Sequence, residues 1–189
     1  FLQRFPEVDV HFLVQDRPVD ALREGVDLVV RLTDDPPPGM VARALCPVQQ
    51  FVIASPAYLA RHAPVHTPDD LVGHSCITLG EQERDGRWRF ARGDEVVEVP
   101  VTGRYTVNHS EMRLAAVEAG LGIGCMPDFG ARAAIAEGCV VRLLADWTFD
   151  TRYQGTAYLL FAASRHTAPK VRALIDHLVA ALVPAAQPG

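Results

Sequence analysis

Residues 101–129 read VTGRYTVNHSEMRLAAVEAGLGIGCMPDF, and the order of residue types in this stretch decides the fold class. Arg104 to Val107 reads as a strand, and Asn108, His109 and Ser110 form the turn after it. Met112, Ala115, Ala116 and Ala119 then fall at i, i+3, i+4 and i+7, the spacing of an amphipathic helix, which Gly120 stops. Gly122 to Met126 is a second strand, closed by Pro127. Phe129 to Glu137 is an Ala-rich helix ended by Gly138. Strand alternates with helix, which predicts an α/β fold with mostly parallel sheet.

The alternation continues outward. Val8, Val10, Phe12 and Val14 alternate with Asp9, His11 and Leu13, the period of a strand. Asp16 can cap a helix with Pro18 in its first turn, Val19, Leu22 and Val26 on one face and Gly25 at its end. Asp27 to Arg31 is a short buried strand, PPPG at 36–39 an exposed loop, and an extended run leads from Met40 to Ser55. Ser55-Pro56 ahead of AYLARH is an N-cap with Pro at the first helical position, and Thr67 with Asp70 repeats the device as a capping box. Cys76 to Leu79 is a strand, and Trp88-Arg-Phe90 and Val96 to Val101 bracket ARGDE as a hairpin. Val140 to Leu144 and Tyr158 to Ala162 are strands, and Val171, Leu174, Ile175, Leu178 and Leu182 mark the last helix. The hairpin interrupts the alternation, which suggests a second unit inserted into the first. Ligands of such folds bind beyond the carboxyl ends of strands, near the turns around Asp16, Arg31, Ser55, Asn108 and Pro127.

The chain has 189 residues, 49% of them hydrophobic and 22% charged, enough to bury a substantial core and too apolar for disorder. No apolar run approaches the ~20 residues needed to cross a bilayer. The opening FLQRFPEVDV has no basic n-region and no small-residue cleavage site, so no signal peptide is expected. The net charge is −5, Lys170 is the sole lysine and the arginines are scattered, which argues against a surface that grips a phosphate backbone. Cys46, Cys76, Cys125 and Cys139 include no CxxC pair, and three of the four lie in apolar stretches. They read as reduced, buried thiols of a cytoplasmic protein, with a redox pair of Cys125 and Cys139 as the alternative.

Catalytic and cofactor motifs fail on context. AGLGIG at 119–124 has glycines between a helix and a strand, the reverse of a phosphate loop, so they serve as a helix C-cap and in close packing. There is no GxSxG, and Ser55 and Ser110 read as caps. His62, His66 and His74 read as a solvated loop rather than a metal site. Arg92-Gly93-Asp94 is a hairpin turn. No catalytic residue, metal site or cofactor is expected.

FPEVDVHFLVQDRPVDALREGVDLVVRL (5–32), VARALCPVQQFVIASPAYLARHAPVHTPDDLVGHSCI (41–77), the Trp88-Arg89-Phe90 strand, the 101–129 stretch and APKVRALIDHL (168–178) together resemble the effector-binding domain of LysR-type transcriptional regulators. The resemblance implies a periplasmic-binding-protein-like fold of two α/β subdomains with a cleft between them. Subdomain I would be 1–54 plus 156–189 and subdomain II 55–155. It implies a small-molecule effector, homodimerisation or a homotetramer, and DNA contact only through an N-terminal winged helix-turn-helix that this chain lacks. The first strand of the family's effector domain is also missing ahead of FLQRF.

Candidate ligand-binding residues are Asp16, Arg17, Arg31, Ser55, Asn108, His109, Ser110, Met126 and Pro127. Arg31 ends a strand where a guanidinium can pair with a carboxylate, or form a structural salt bridge. Asn108, His109 and Ser110 lie where side chains and helix amides can bind an anion, and Asp16 and Arg17 occupy the corresponding turn of subdomain I. Ser55 lies at another strand-to-helix turn, and Met126 and Pro127 would supply apolar wall. Two rival readings are a transport-type solute-binding protein of the same fold, which a signal peptide would favour, and a small α/β enzyme using His109.

Overall fold

The computed structural model describes residues 1–14, 24–33, 35, 38–151, 153–163 and 167–182. In chain order the first elements are β1 (Val29–Leu32), β2 (Met40–Val48), β3 (Gln50–Ala54), α1 (Pro56–Leu59), β4 (Cys76–Ile77), β5 (Arg87–Arg92) and β6 (Glu95–Pro100). Then follow α2 (Ser110–Glu118), β7 (Ile123–Pro127), α3 (Asp128–Ala136), β8 (Val141–Leu143), β9 (Thr148–Asp150), β10 (Gly155–Ala162) and α4 (Pro169–Leu182). The chain divides into two compact units, Phe1–Pro47 with Gly155–Gly189, and Val48–Gln154. The expected crossing at Ser55 and this division differ by β3, whose ladder bonds all run to β7 and β8. The helix expected to begin at Asp16 lies largely outside the described residues, along with Asp16 and Arg17; its close is visible at Gly25, with φ of 67°.

The first unit holds a sheet of order β1-β10-β2, with β1 antiparallel to β10 from Val29↔Leu160 to Leu32↔Ala157. Leu45, Ala157, Leu159, Leu160 and Ile175 of α4 are buried there. Two expectations fail. Residues 8–14 form no strand, and Phe12 and Val14 stand 79% and 83% exposed. Alternation specifies a strand only where a neighbour accepts its ladder bonds, and no described residue pairs with this run. β1 is a strand but not a buried one: it lies at the sheet edge and Val30 is 53% exposed.

The second unit has three layers. A sheet of order β4-β7-β3-β8 lies between a sheet of order β6-β5-β9 and the helices α2 and α3. Side chains along β3 alternate between the two interfaces. Val52 and Ala54 meet Tyr58, Leu71, Trp88, Phe90 and Phe149, whereas Ile53 meets Ala116, Val117, Ala131 and Ala134. Coverage of both faces explains why these strands read as unbroken apolar runs. The hairpin follows expectation, with Ala91↔Val96 and Arg92↔Glu95 around Gly93 at φ 58°. β9 is too short to have been read from the sequence.

The expectation of a mostly parallel sheet is corrected. β3 runs antiparallel to both β7 and β8, and within this four-stranded sheet β4 pairs in parallel with β7. The helical crossover β7-α3-β8 does place its two strands parallel to each other, but β3 is inserted between them in the opposite sense. Arg104 to Val107 is likewise no strand, and only Thr106 bridges to Thr78.

Both capping devices form. The Ser55 hydroxyl accepts from Tyr58 N–H at 3.4 Å, and the Asp70 carboxylate accepts from the amides of His66 and Thr67 at 2.9 and 2.7 Å. Those two amide bonds hold the Asp70 carboxyl below its ordinary value of 3.8. The solvated-histidine reading holds for exposed His62 and His66 but not for His74, which is buried. Ser75 N–H donates to the Tyr58 hydroxyl at 3.1 Å, which leaves the hydroxyl proton for His74 Nδ1 at 3.2 Å. His62 stacks on the Tyr58 ring with centroids 3.9 Å apart.

Candidate functional site

The carboxyl ends of β4 and β7 meet the head of α2. Val107 N–H donates to Thr78 O at 2.9 Å, just past β4, and the Thr78 and Thr106 hydroxyls lie 3.2 Å apart. The chain then exposes Asn108 and His109, half-buries Ser110 and starts α2, whose first helical bond is Arg113 N–H to His109 O at 3.0 Å. The His109 side chain does not cap the helix, so the first-turn amides keep their donors without a side-chain acceptor.

The neighbouring helix head is closed. Asp128, at the start of α3, is buried; its carboxylate accepts Gln49 N–H at 3.2 Å, and its own N–H donates to Gln49 O at 2.8 Å. Arg132 pairs with the same carboxylate. A resident negative charge occupies the positive end of α3, whereas the head of α2 has only exposed Glu111 in its first turn.

The face of α2 that packs inward is not the expected one. Met112 is 54% exposed, and Ala115 and Ala119 also face out, whereas Arg113, Ala116 and Val117 are buried. Arg113 takes a core position because its apolar stem lies over Gly124 of β7, where a Cβ would stand 3.5 Å from Arg113 Cγ. Its guanidinium passes beneath the turn, with Nε–H donated to Cys125 O at 2.7 Å and an Nη1 proton to Val107 O at 3.0 Å. A period count that scores only apolar residues overlooks this side chain; the signal for it was the glycine opposite.

Asn108, His109, Ser110 and Pro127 therefore gather at one end of the unit, since Arg113 links Val107 to the strand that ends at Pro127. Met126 sits in the same strand, but its side chain is buried among Ile53, Ile77 and Ala131 and forms core rather than wall. Ser55 is toward the far end: Gln50 lies opposite Pro127 and Ile53 opposite Gly124, so about 17 Å of strand separates Ser55 from the level of Pro127. Its hydroxyl is spent as a cap, and a Cβ on Gly120 would lie 3.6 Å from it. Arg31 is an exposed residue of the first unit, opposite Tyr158 across β1 and β10.

Sequence reasoning also passed over Gln50, buried at the start of β3 with its Nε2 donating to Tyr153 O at 2.7 Å. The Tyr153 hydroxyl donates to Glu81 at 2.5 Å. A glutamine leading an apolar run was the available sign.

Among the described residues no three His, Cys, Asp or Glu side chains converge as metal ligands, and no helix is long and apolar enough to cross a membrane. Only Cys76 and Cys125 are buried thiols; Cys46 is half-buried and Cys139 exposed, which corrects the count of three. Burial pushes Cys76 up to about 12 and raises Cys125, so neither forms thiolate near neutral pH. Cys125 faces the sheet-to-sheet core and Cys139 follows α3 on the other side, so the two do not form the alternative redox pair.

The LysR substrate binding domain model matches residues 1–183. The probable HTH-type transcriptional regulator LtrA of Klebsiella pneumoniae is 44% identical over 94% of this chain, and the HTH-type transcriptional regulator PtxR of Pseudomonas aeruginosa is 34% identical over 94%. The chain spans 58% and 56% of the length of these two relatives. Among solved structures, the LysR-type transcriptional regulator CrgA of Neisseria meningitidis superposes with a TM-score of 0.83 at 25% identity, covering 96% of this chain and 60% of that one. The full-length Vibrio cholerae virulence activator AphB gives 0.83 at 23% identity, over 96% of this chain and 61% of that one, a likeness of fold. With a family model that spans nearly every residue and a relative at this identity, the chain belongs to the LysR substrate binding domain family, with the periplasmic-binding-protein-like fold.

Proposed function

We propose that this chain is the effector-sensing and dimerising part of a cytoplasmic, non-enzymatic LysR-type transcription regulator. The observation that carries the reading is the uncapped head of α2, where Asn108, His109 and Ser110 are presented beyond the carboxyl ends of β4 and β7. A small effector with an anionic group binds there, and its binding biases the full-length protein between two arrangements on DNA. DNA contact belongs to a helix-turn-helix module of the full-length protein, in keeping with LtrA and PtxR being HTH-type regulators. The assembly is a homodimer or homotetramer.

A thermal-shift screen against a panel of small metabolites tests this. A true effector at about a hundred times its Kd raises Tm by roughly 5–10 °C. Asn108→Ala and Ser110→Ala are expected to lose most of that rise while keeping the ligand-free Tm. A hit whose shift survives in both variants places the effector elsewhere. Arg31, Asp16 and Arg17, the candidates from the first unit, go through the same screen as alanine variants.

A further inference from the structure

Arg113 is a buried cation with no ion-pair partner among the described residues. It is 3% exposed, both of its hydrogen bonds go to neutral carbonyls, and no carboxylate among the described residues forms an ion pair with it. Taking a guanidinium out of water carries a desolvation cost that neutral carbonyls offset only in part. Its position adds to that cost. The head of α2 carries partial positive charge, and a cation at the end of the first turn is repelled by it. Two sources of positive potential thus converge under one uncapped turn. A negative charge placed on the turn would be attracted by both.

The two carbonyls that hold Arg113 also matter. One belongs to Val107, next to Asn108, and the other to Cys125, in the strand that ends at Pro127. One rigid fork therefore ties both sides of the turn together. Gly124 makes the approach possible, since a Cβ there would stand 2.7 Å from Val117 Cγ2 as well as against the Arg113 stem.

We propose that Arg113 is the positioning residue of the effector site, fixing the Val107–Ser110 turn against β7 and, through its unneutralised charge, committing the site to an anionic ligand group. This rests on the reading of that turn as the effector site.

The test uses inorganic sulfate and its neutral analogue dimethyl sulfone, titrated at constant ionic strength while amide shifts are followed by NMR. Sulfate is expected to move the amides of Asn108, His109, Ser110 and Glu111, and dimethyl sulfone to leave them in place. Arg113→Met, which keeps the stem and removes the charge, should bind sulfate roughly tenfold more weakly, and Arg113→Lys should stay within about threefold of the parent. A packing role alone would move Met and Lys alike. The proposal is overturned if sulfate leaves all four amides unmoved, if dimethyl sulfone moves them equally, or if Met matches the parent. Should Arg113→Met fail to fold, Arg113→Gln read against Arg113→Lys carries the same comparison: weaker sulfate binding in Gln alone is expected, and equal binding in the two overturns the proposal. An effector hit lost in Asn108→Ala, together with a negative sulfate result, would keep the turn as effector site and remove Arg113 from it. Hits that ignore the turn would remove the reading itself.

Discussion

Gly122→Ala should destabilise the second unit by about 3 kcal/mol or more, lowering Tm by roughly 10 °C. The cause is steric. A Cβ at Gly122 would stand 2.3 Å from Ser75 O and 3.1 Å from its carbonyl carbon. That carbonyl cannot step aside cheaply, because it accepts Ile123 N–H at 2.9 Å and so belongs to the pairing that joins β4 to β7. Gly103 repeats the situation one residue along, with a Cβ 2.0 Å from Cys76 O, and the same loss is expected of Gly103→Ala. Gly73→Ala is the control: nothing lies within 4 Å of its Cβ position, and a change within about 0.5 kcal/mol is expected. Urea denaturation reads all three. If the Gly122→Ala midpoint matched that of Gly73→Ala, the close approach of β4 and β7 at this point would be wrong.

The glycines of AGLGIG show how far sequence carries. Their order between helix and strand excluded a phosphate loop, and the structure gives them C-cap and close-packing work, with Gly120 at φ 73° and Gly122 and Gly124 against neighbouring chain. Caps and turns were legible for the same reason: Ser55, Thr67 with Asp70, and Gly93 act on residues within four positions of themselves. Strand direction was not legible. Alternation of β and α fixes the sense of strands joined by a helix, but it says nothing about β3, which enters between β7 and β8 from far away in the chain. The strand expected at 8–14 failed on the same ground, since its existence depends on a partner rather than on its own alternation.

The candidate site was half legible. Asn108, His109 and Ser110 follow from a local rule, that a strand-to-helix turn presents donors. Ser55 satisfies the same rule, yet the antiparallel sense of β3 carries it to the opposite end of the sheet. Direction thus decides which of two similar turns shares an end with Pro127, and direction is a long-range property. Arg113 was missed because burial of its stem depends on Gly124, eleven positions away and on a different element.

Tyr58→Phe should cost about 2–4 kcal/mol at pH 7, because one hydroxyl satisfies two buried groups and its loss strands both. Ser75 N–H loses its acceptor and His74 Nδ1 its donor. The pH dependence should change as well. In the parent, burial first and the nearby His62 charge second hold His74 below its ordinary value of 6.5, against the pull of Asp70. As pH falls below about 6.5 the unfolded chain takes up a proton that the folded chain refuses. His74 therefore contributes stability that is complete above that pH and declines below it, down to the lower folded value. Asp70 does not confuse the measurement, since its contribution is lost only as pH falls below about 3.8 toward its depressed folded value. Without the Tyr58 hydroxyl, protonated His74 no longer has to displace a donor, so Tyr58→Phe should lose less stability between pH 7 and pH 5 than the parent. His74→Asn, with no group titrating in this range, should lose least. Urea midpoints at pH 5, 6 and 7 separate the three chains, and equal losses in all of them would show that His74 does not govern the acid side of stability.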